Sequence, residues 1–145
     1  MSLFSLLSVS GSGMGAQRVR AQLLVENLAN AETTRTPEGG PYRRKDAVFS
    51  SQPQSSPFSA MFQAEIAGGQ TGVGVADIVE DTRVPVKRYM PGHPDAGPDG
   101  YVAFPRINPA EDMVDLMNAT RNYQANVSAI GAVRDMIHRT LDLLR

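Results

Sequence analysis

Few residues in this 145-residue chain have the types and spacing for chemistry. Gly11-Ser-Gly13-Met-Gly-Ala16 fits G-x-G-x-x-A, the pattern that lets a backbone approach a dinucleotide pyrophosphate at a helix N-terminus. It follows an apolar run and precedes a helical pattern, and Glu32 lies near the distance of a ribose-binding acid. That chemistry needs a strand before the glycines and a parallel strand soon after. Leu3 and Leu7 instead continue the helical phase of Met14 to Leu28, and Pro37 and Pro41 follow. The spacing predicts a flexible bend between helical pieces and no cofactor. His93-Pro94-Asp95 matches the tripeptide by which J-domains engage a chaperone, but prolines and glycines surround it, so a turn is expected. His138 has no second ligand near it at metal spacing. No serine lies in a G-x-S-x-G elbow. No catalytic, cofactor or metal residue is assigned. The sequons Asn118-Ala-Thr120 and Asn126-Val-Ser128 fall within a helical pattern and are read as coincidences.

Two polar clusters suit contacts better than catalysis. Arg43-Arg44-Lys45 is either a solvated strand end or a charged contact with a neighbouring subunit. Asn27-Leu28-Ala29-Asn30 places two amides three apart near a helix end. They either terminate the helix through backbone hydrogen bonds or bond to a neighbouring subunit.

Net charge is −1 with both signs interspersed, so neither nucleic acid nor an acidic membrane surface is indicated. There is no cysteine, which removes disulfides and thiolate chemistry together. The apolar start lacks the leading positive charge of a cleavable signal, having no Lys or Arg before Arg18. No run approaches the ~20 apolar residues of a membrane span. The expectation is a soluble chain, or one exported without such a signal.

The elements that must position these residues are two proline-free ends around a proline-rich middle. In the last quarter Met113, Leu116, Thr120, Tyr123, Val127, Ile130, Arg134, Ile137, Leu141 and Leu144 recur at alternating steps of three and four. That is a heptad seam, with Thr120 and Arg134 as its weak positions. Asn108 is placed to cap it, Pro109 opens it, and Glu111 can reach back as in a capping box. A second row, Val133, Met136, Thr140 and Leu143, widens the apolar arc beyond what one partner helix covers. Leu3, Leu7, Met14, Ala21, Leu24 and Leu28 form a weaker seam, interrupted by Ser10 and Gln17 and softened before Gly13 by the glycines.

Every proline except Pro109 lies in residues 37–107. Tyr42 to Phe49, Val73 to Val79, Val84 to Val86 and Tyr101 to Phe104 read as short strands there. Pro85 confines its strand to a sheet edge. Residues 50–72 read as a flexible loop, and 91–100 as turns. The expected fold is mainly α with a small β-rich insert. Residues 1–36 and 108–145 form an antiparallel coiled-coil stem, and 37–107 form the central module. Stripes this long need partners, which points to an assembly subunit. A cytoplasmic helical-hairpin adaptor in another complex is the alternative, and a dinucleotide enzyme a distant third.

Several motifs occur together in order. They are Ser12-Gly13-Met14-Gly-Ala16-Gln17-Arg18, Asn27-Leu28-Ala29-Asn30-Ala-Glu-Thr33-Thr34, Tyr42-Arg43-Arg44-Lys45, His93-Pro94-Asp95-Ala96, and Glu111-Asp-Met113-Val-Asp-Leu116 followed by Arg121-Asn-Tyr123-Gln124. This set resembles the bacterial flagellar basal-body rod protein family. Phe104-Pro105-Arg106-Ile107 departs from the family's usual Pro-Asn-Val, and residues 50–72 match nothing in it. The resemblance implies a structural subunit, not an enzyme, that passes the flagellar type III export apparatus without a cleaved signal. Such subunits stack helically in the periplasm and carry torque. The implied partners are copies of itself, other rod proteins and the rod-to-membrane-ring adaptor. The assembly contacts it implies are the seam residues Leu3, Leu7, Met14, Ala21, Leu24, Leu28, Met113, Leu116, Tyr123, Val127, Ile130, Ile137, Leu141 and Leu144, with Asn27 and Asn30.

Overall fold

A computed structural model describes residues 3–53 and 71–143. Two helices and four strands occur among them: α1 (Leu3–Ala29), β1 (Lys45–Pro53), β2 (Thr71–Glu80), β3 (Val86–Tyr89), β4 (Tyr101–Phe104) and α2 (Pro109–Asp142). The strands make two separate antiparallel pairs, β1 with β2 and β3 with β4. Residues 50–53 and 71–72, expected in a loop, are strand; the rest of that expected loop lies outside the described residues.

α2 begins as its sequence requires. The Asn108 side chain caps the helix by accepting from the Ala110 N–H, and Pro109 takes a position where no N–H is needed. Glu111 and Asp112 place negative charge on the first turn, against the positive end of the helix dipole. At 34 residues α2 runs about 50 Å.

α1 is continuous through Gly11, Gly13 and Gly15, where a bend was expected. The propensity lost at the glycines, roughly 1 kcal/mol each relative to Ala, is offset by packing along α2 and along the β1–β2 hairpin. Gly13 has a specific use: a Cβ there would stand 3.2 Å from Asn126 Oδ1 on α2. Arg20 meets Asp115 at 3.7 Å further along. Positions rise on one helix as they fall on the other, so the two run antiparallel.

The face of α2 that meets α1 lies one residue off the apolar seam. Its buried positions are Asp112, Ala119 and Val133, with Leu116, Asn126, Ile130 and Ile137 partly covered. These fall at steps of three and four once position 123 is included. The row therefore shares four positions with the expected seam, and takes 112, 119, 126 and 133 in place of 113, 120, 127 and 134. Small and short polar side chains at those places let the helix axes approach, against Gly13 and the buried Ala16. Thr120 and Arg134, the weak entries of the seam, thereby stay exposed.

The β1–β2 hairpin lies along α1. Asn27 bonds Lys45 near one end, and Ser12 Oγ accepts from the Val73 N–H near the other. The fifteen helical steps from Ser12 to Asn27 rise about 22 Å, and the six strand steps from Lys45 to Ser51, which pairs with Val73, span about 20 Å. The lengths match, so one helix supports the hairpin from Lys45 to the Ser51–Val73 pair. In the second hairpin Val102 and Phe104 point inward, each contributing about 1.5–3 kcal/mol of burial. Pro85 stands just outside β3, as an edge position demands.

Candidate assembly surface and the clamp beneath it

The end of α1, the approach to β1 and the start of α2 meet at one junction. Asn27 is fully buried there. Its Nδ2 donates to the Lys45 carbonyl at 2.9 Å, and its Oδ1 accepts from the Lys45 N–H at 2.9 Å. The amide thus pairs with Lys45 as a neighbouring strand would, and the same Oδ1 accepts from the Tyr42 hydroxyl at 3.0 Å. Burial, and then the Glu26 carboxylate, push the Tyr42 phenol well above its usual range, so it stays protonated and remains a donor. Asn30 does what the helix-ending reading requires. Its Nδ2 donates to the Glu26 carbonyl and its Oδ1 accepts from the Thr33 hydroxyl. Asn27 does not end the helix: it joins helix to strand within the chain.

The basic cluster divides. Arg44 donates through Nε and Nη2 to Asp112 Oδ1 at 3.3 and 2.9 Å, and through Nη1 to Asp46 at 2.6 Å. Asp112 is buried and its other oxygen has no hydrogen-bond partner among the described residues, so Arg44 is the one cation paired with it there. Losing one member of such a pair costs more than the pair contributes. Lys45 Nζ reaches Glu26 at 2.8 Å, which raises the lysine's affinity for its proton. Both cations are spent inside the chain. Arg43 is exposed.

The remaining motifs prove structural. Gly11 to Ala16 is mid-helix with no strand before it. His93-Pro94-Asp95 forms the expected turn: His93 Nδ1 accepts from the Asp95 N–H, and its ring meets Phe104 edge-on. Asp95 in turn accepts from the Thr34 hydroxyl at 2.8 Å, tying this turn to the segment after α1. Among the described residues no cluster of three His, Cys, Asp or Glu could hold a metal ion, and no helix is long and apolar enough to cross a membrane.

What the fold leaves uncovered is apolar. Met113, Val114 and Met117 are each about half exposed on the first turns of α2, with Val127 further along the same flank. Successive residues turn by about 100°, so Met113 and Val127 border the row packed on α1, and Met117 and Val114 turn progressively away from it. Leu141 and Leu143, at 58% and 87% exposure, lie at the other end of the helix. Of the α1 positions, Leu24 is buried, while Leu7, Met14, Ala21 and Leu28 are partly covered. The side chain of Leu3, and all of Leu144, fall outside the described residues. Tyr42, Asp112 and Gly13 escaped the sequence reading. Asp112 had one signal, an acid in the first turn where the apolar row should begin.

A paired-helix scaffold that keeps its chemistry-bearing side chains in structural bonds, and leaves apolar helix surface open, defines a structural assembly subunit. Residues 99–143 match the family described as flagellar basal body rod FlgEFG protein C-terminal. The flagellar basal-body rod protein FlgC of Bacillus subtilis is 39% identical, over 99% of this chain and 99% of that protein. The FlgC proteins of Borreliella burgdorferi and Salmonella typhimurium are each 36% identical, over 100% and 99% of this chain. They are covered to 99% and 98% of their own lengths. This chain belongs to the FlgC family of flagellar basal-body rod proteins.

Proposed function

We propose that this chain is a structural, non-catalytic subunit of the flagellar basal-body rod, which assembles through its terminal helices and transmits motor torque. In this reading α1 and α2 act as a coiled-coil stem that stacks with copies of itself and with other rod proteins, and the two β-hairpins lie outside the stem. The rod stands in the periplasm and meets the adaptor to the membrane ring. The chain reaches it through the flagellar export apparatus without a cleaved signal. The observation that carries this reading is the uncovered flank of α2, formed by Met113, Val114, Met117 and Val127. Already about half covered, each such side chain gains about 0.7–1.5 kcal/mol, half the value for full burial, when a neighbour covers the rest. A stack repeats that gain at every subunit, and many helix contacts in parallel resist twisting.

The test is a Met113→Lys, Met117→Lys double variant expressed at native level in its own flagellated host. Both positions are exposed, so the purified variant should keep its fold by circular dichroism while rods fail to assemble and swimming is lost. Normal rods and normal swimming would refute the assignment of this flank to assembly.

A further inference from the structure

A cleft of about 240 Å³ opens between the β3–β4 hairpin and the start of α2. Arg44, Arg83, Arg88 and Arg106 line it, together with Asn108 and Glu111. Two of these arginines are already neutralised and held: Arg44 by Asp46 and Asp112, and Arg83 by Asp81 through contacts of 2.6 to 2.9 Å. Arg88 is held differently, with its guanidinium 4.8 Å from the centroid of the Phe104 ring. Stacking occupies the face of a guanidinium and leaves its N–H edge open to a carboxylate. Arg106 forms no ion pair or hydrogen bond among the described residues and feels the Asp81 carboxylate only at longer range. Two unspent guanidinium groups therefore stand on a wall stiffened by two spent ones, beside the positive end of the α2 dipole.

We infer that this cleft receives a carboxylate-bearing segment of a neighbouring protein subunit, with Arg88 and Arg106 as its donors. A planar fork suits a carboxylate, which it binds through two parallel hydrogen bonds. A nucleic acid backbone suits the surface poorly. Glu111, Asp46 and Asp81 interrupt the arginines, and the whole chain carries a net charge of −1, so no extended positive face exists for a polyanion. The cleft has the volume of about eight waters at ~30 Å³ each, room for one or two acidic side chains rather than a folded element. The contact rests on the reading of the chain as an assembling subunit. It lies at the start of α2, between that helix and the second hairpin.

The experiment titrates the purified full-length chain with tetraglutamate peptide, tetraglutamine peptide and inorganic phosphate, following the Arg Nε–Hε resonances. Tetraglutamate should shift Arg88 and Arg106 saturably and lose its hold in high salt, where such pairs are screened. Arg88→Gln and Arg106→Gln should each weaken it by about tenfold, the scale of one charged hydrogen bond. Arg106 has no hydrogen bond or ion pair to lose among the described residues, so its variant keeps the fold even if the Arg88 variant does not. The inference is overturned if tetraglutamine binds equally, if phosphate binds more tightly than tetraglutamate, or if Arg106→Gln binds like the parent. A chain that binds tetraglutamate yet builds rods without Met113 and Met117 would sink the proposed flank alone. One that needs both methionines but ignores the peptide would sink the cleft alone.

Discussion

Replacing Asn27 with Ala removes the hinge point between α1 and the first hairpin. The side chain makes three hydrogen bonds: one donated to the Lys45 carbonyl, one accepted from the Lys45 N–H and one accepted from the Tyr42 hydroxyl. Each intramolecular bond contributes about 1 kcal/mol net, and more where the partner is left dry. Asn27 is fully buried, so nothing replaces these bonds without rearrangement. The sum is about 3 kcal/mol. Against it stands the better helix propensity of Ala, worth up to about 0.7 kcal/mol. The expected loss is therefore about 2.5 kcal/mol, or about 5–10 °C in melting temperature for a chain of this size. Tyr42→Phe is the control. It deletes one donor and leaves Asn27 paired with Lys45, so about 1 kcal/mol should be lost. Urea unfolding of the full-length chain, followed by circular dichroism, measures both. A loss below 1 kcal/mol for Asn27→Ala, or equal losses for the two variants, would refute the clamp.

The glycines of α1 should separate under the same assay. Gly11→Ala meets nothing within 4 Å and should stabilise by about 0.5–1 kcal/mol, whereas Gly13→Leu drives into Asn126 and should cost about 1–3 kcal/mol. Equal effects would show that Gly13 is not a point of close approach. Hydrogen bonds from Arg83 hold the Asp81 carboxyl down at about 2. Its contribution to stability is present above the usual carboxylate value of about 3.9 and is lost as pH falls through about 2. Carbon-detected titration should find that midpoint, and Arg83→Gln should return it toward the usual value; an unmoved midpoint would refute the assignment.

Local signals in the chain were read well where the physics is local. Asn108-Pro109 marks a helix start because the cap oxygen and the missing proline N–H act within one turn. Tyr101–Phe104 is a strand with the bounds its residues suggested, set between turn formers and Pro105. The Asn30 amide ends α1 through bonds to its own neighbours. Partners far along the chain were not legible. Arg44 and Lys45 look free in sequence because their carboxylate partners Asp112 and Glu26 lie 68 and 19 positions away.

The chain alone determined its class: two long helical ends, a proline-rich middle with short strands, and no chemistry at catalytic spacing. Hydrophobic periodicity and capping are properties of neighbouring residues, so they are legible without a fold. Which row of α2 packs on α1 was decided only by tertiary structure. Periodicity favours the most apolar row, whereas close helix approach favours the smallest one, so Ala119 opposite the Gly13 and Ala16 face prevails over Thr120. That one-residue rotation is what leaves Met113 and Val127 facing outward. It also buries Asp112, which Arg44, brought in by the approach to β1, pairs with at 2.9 Å.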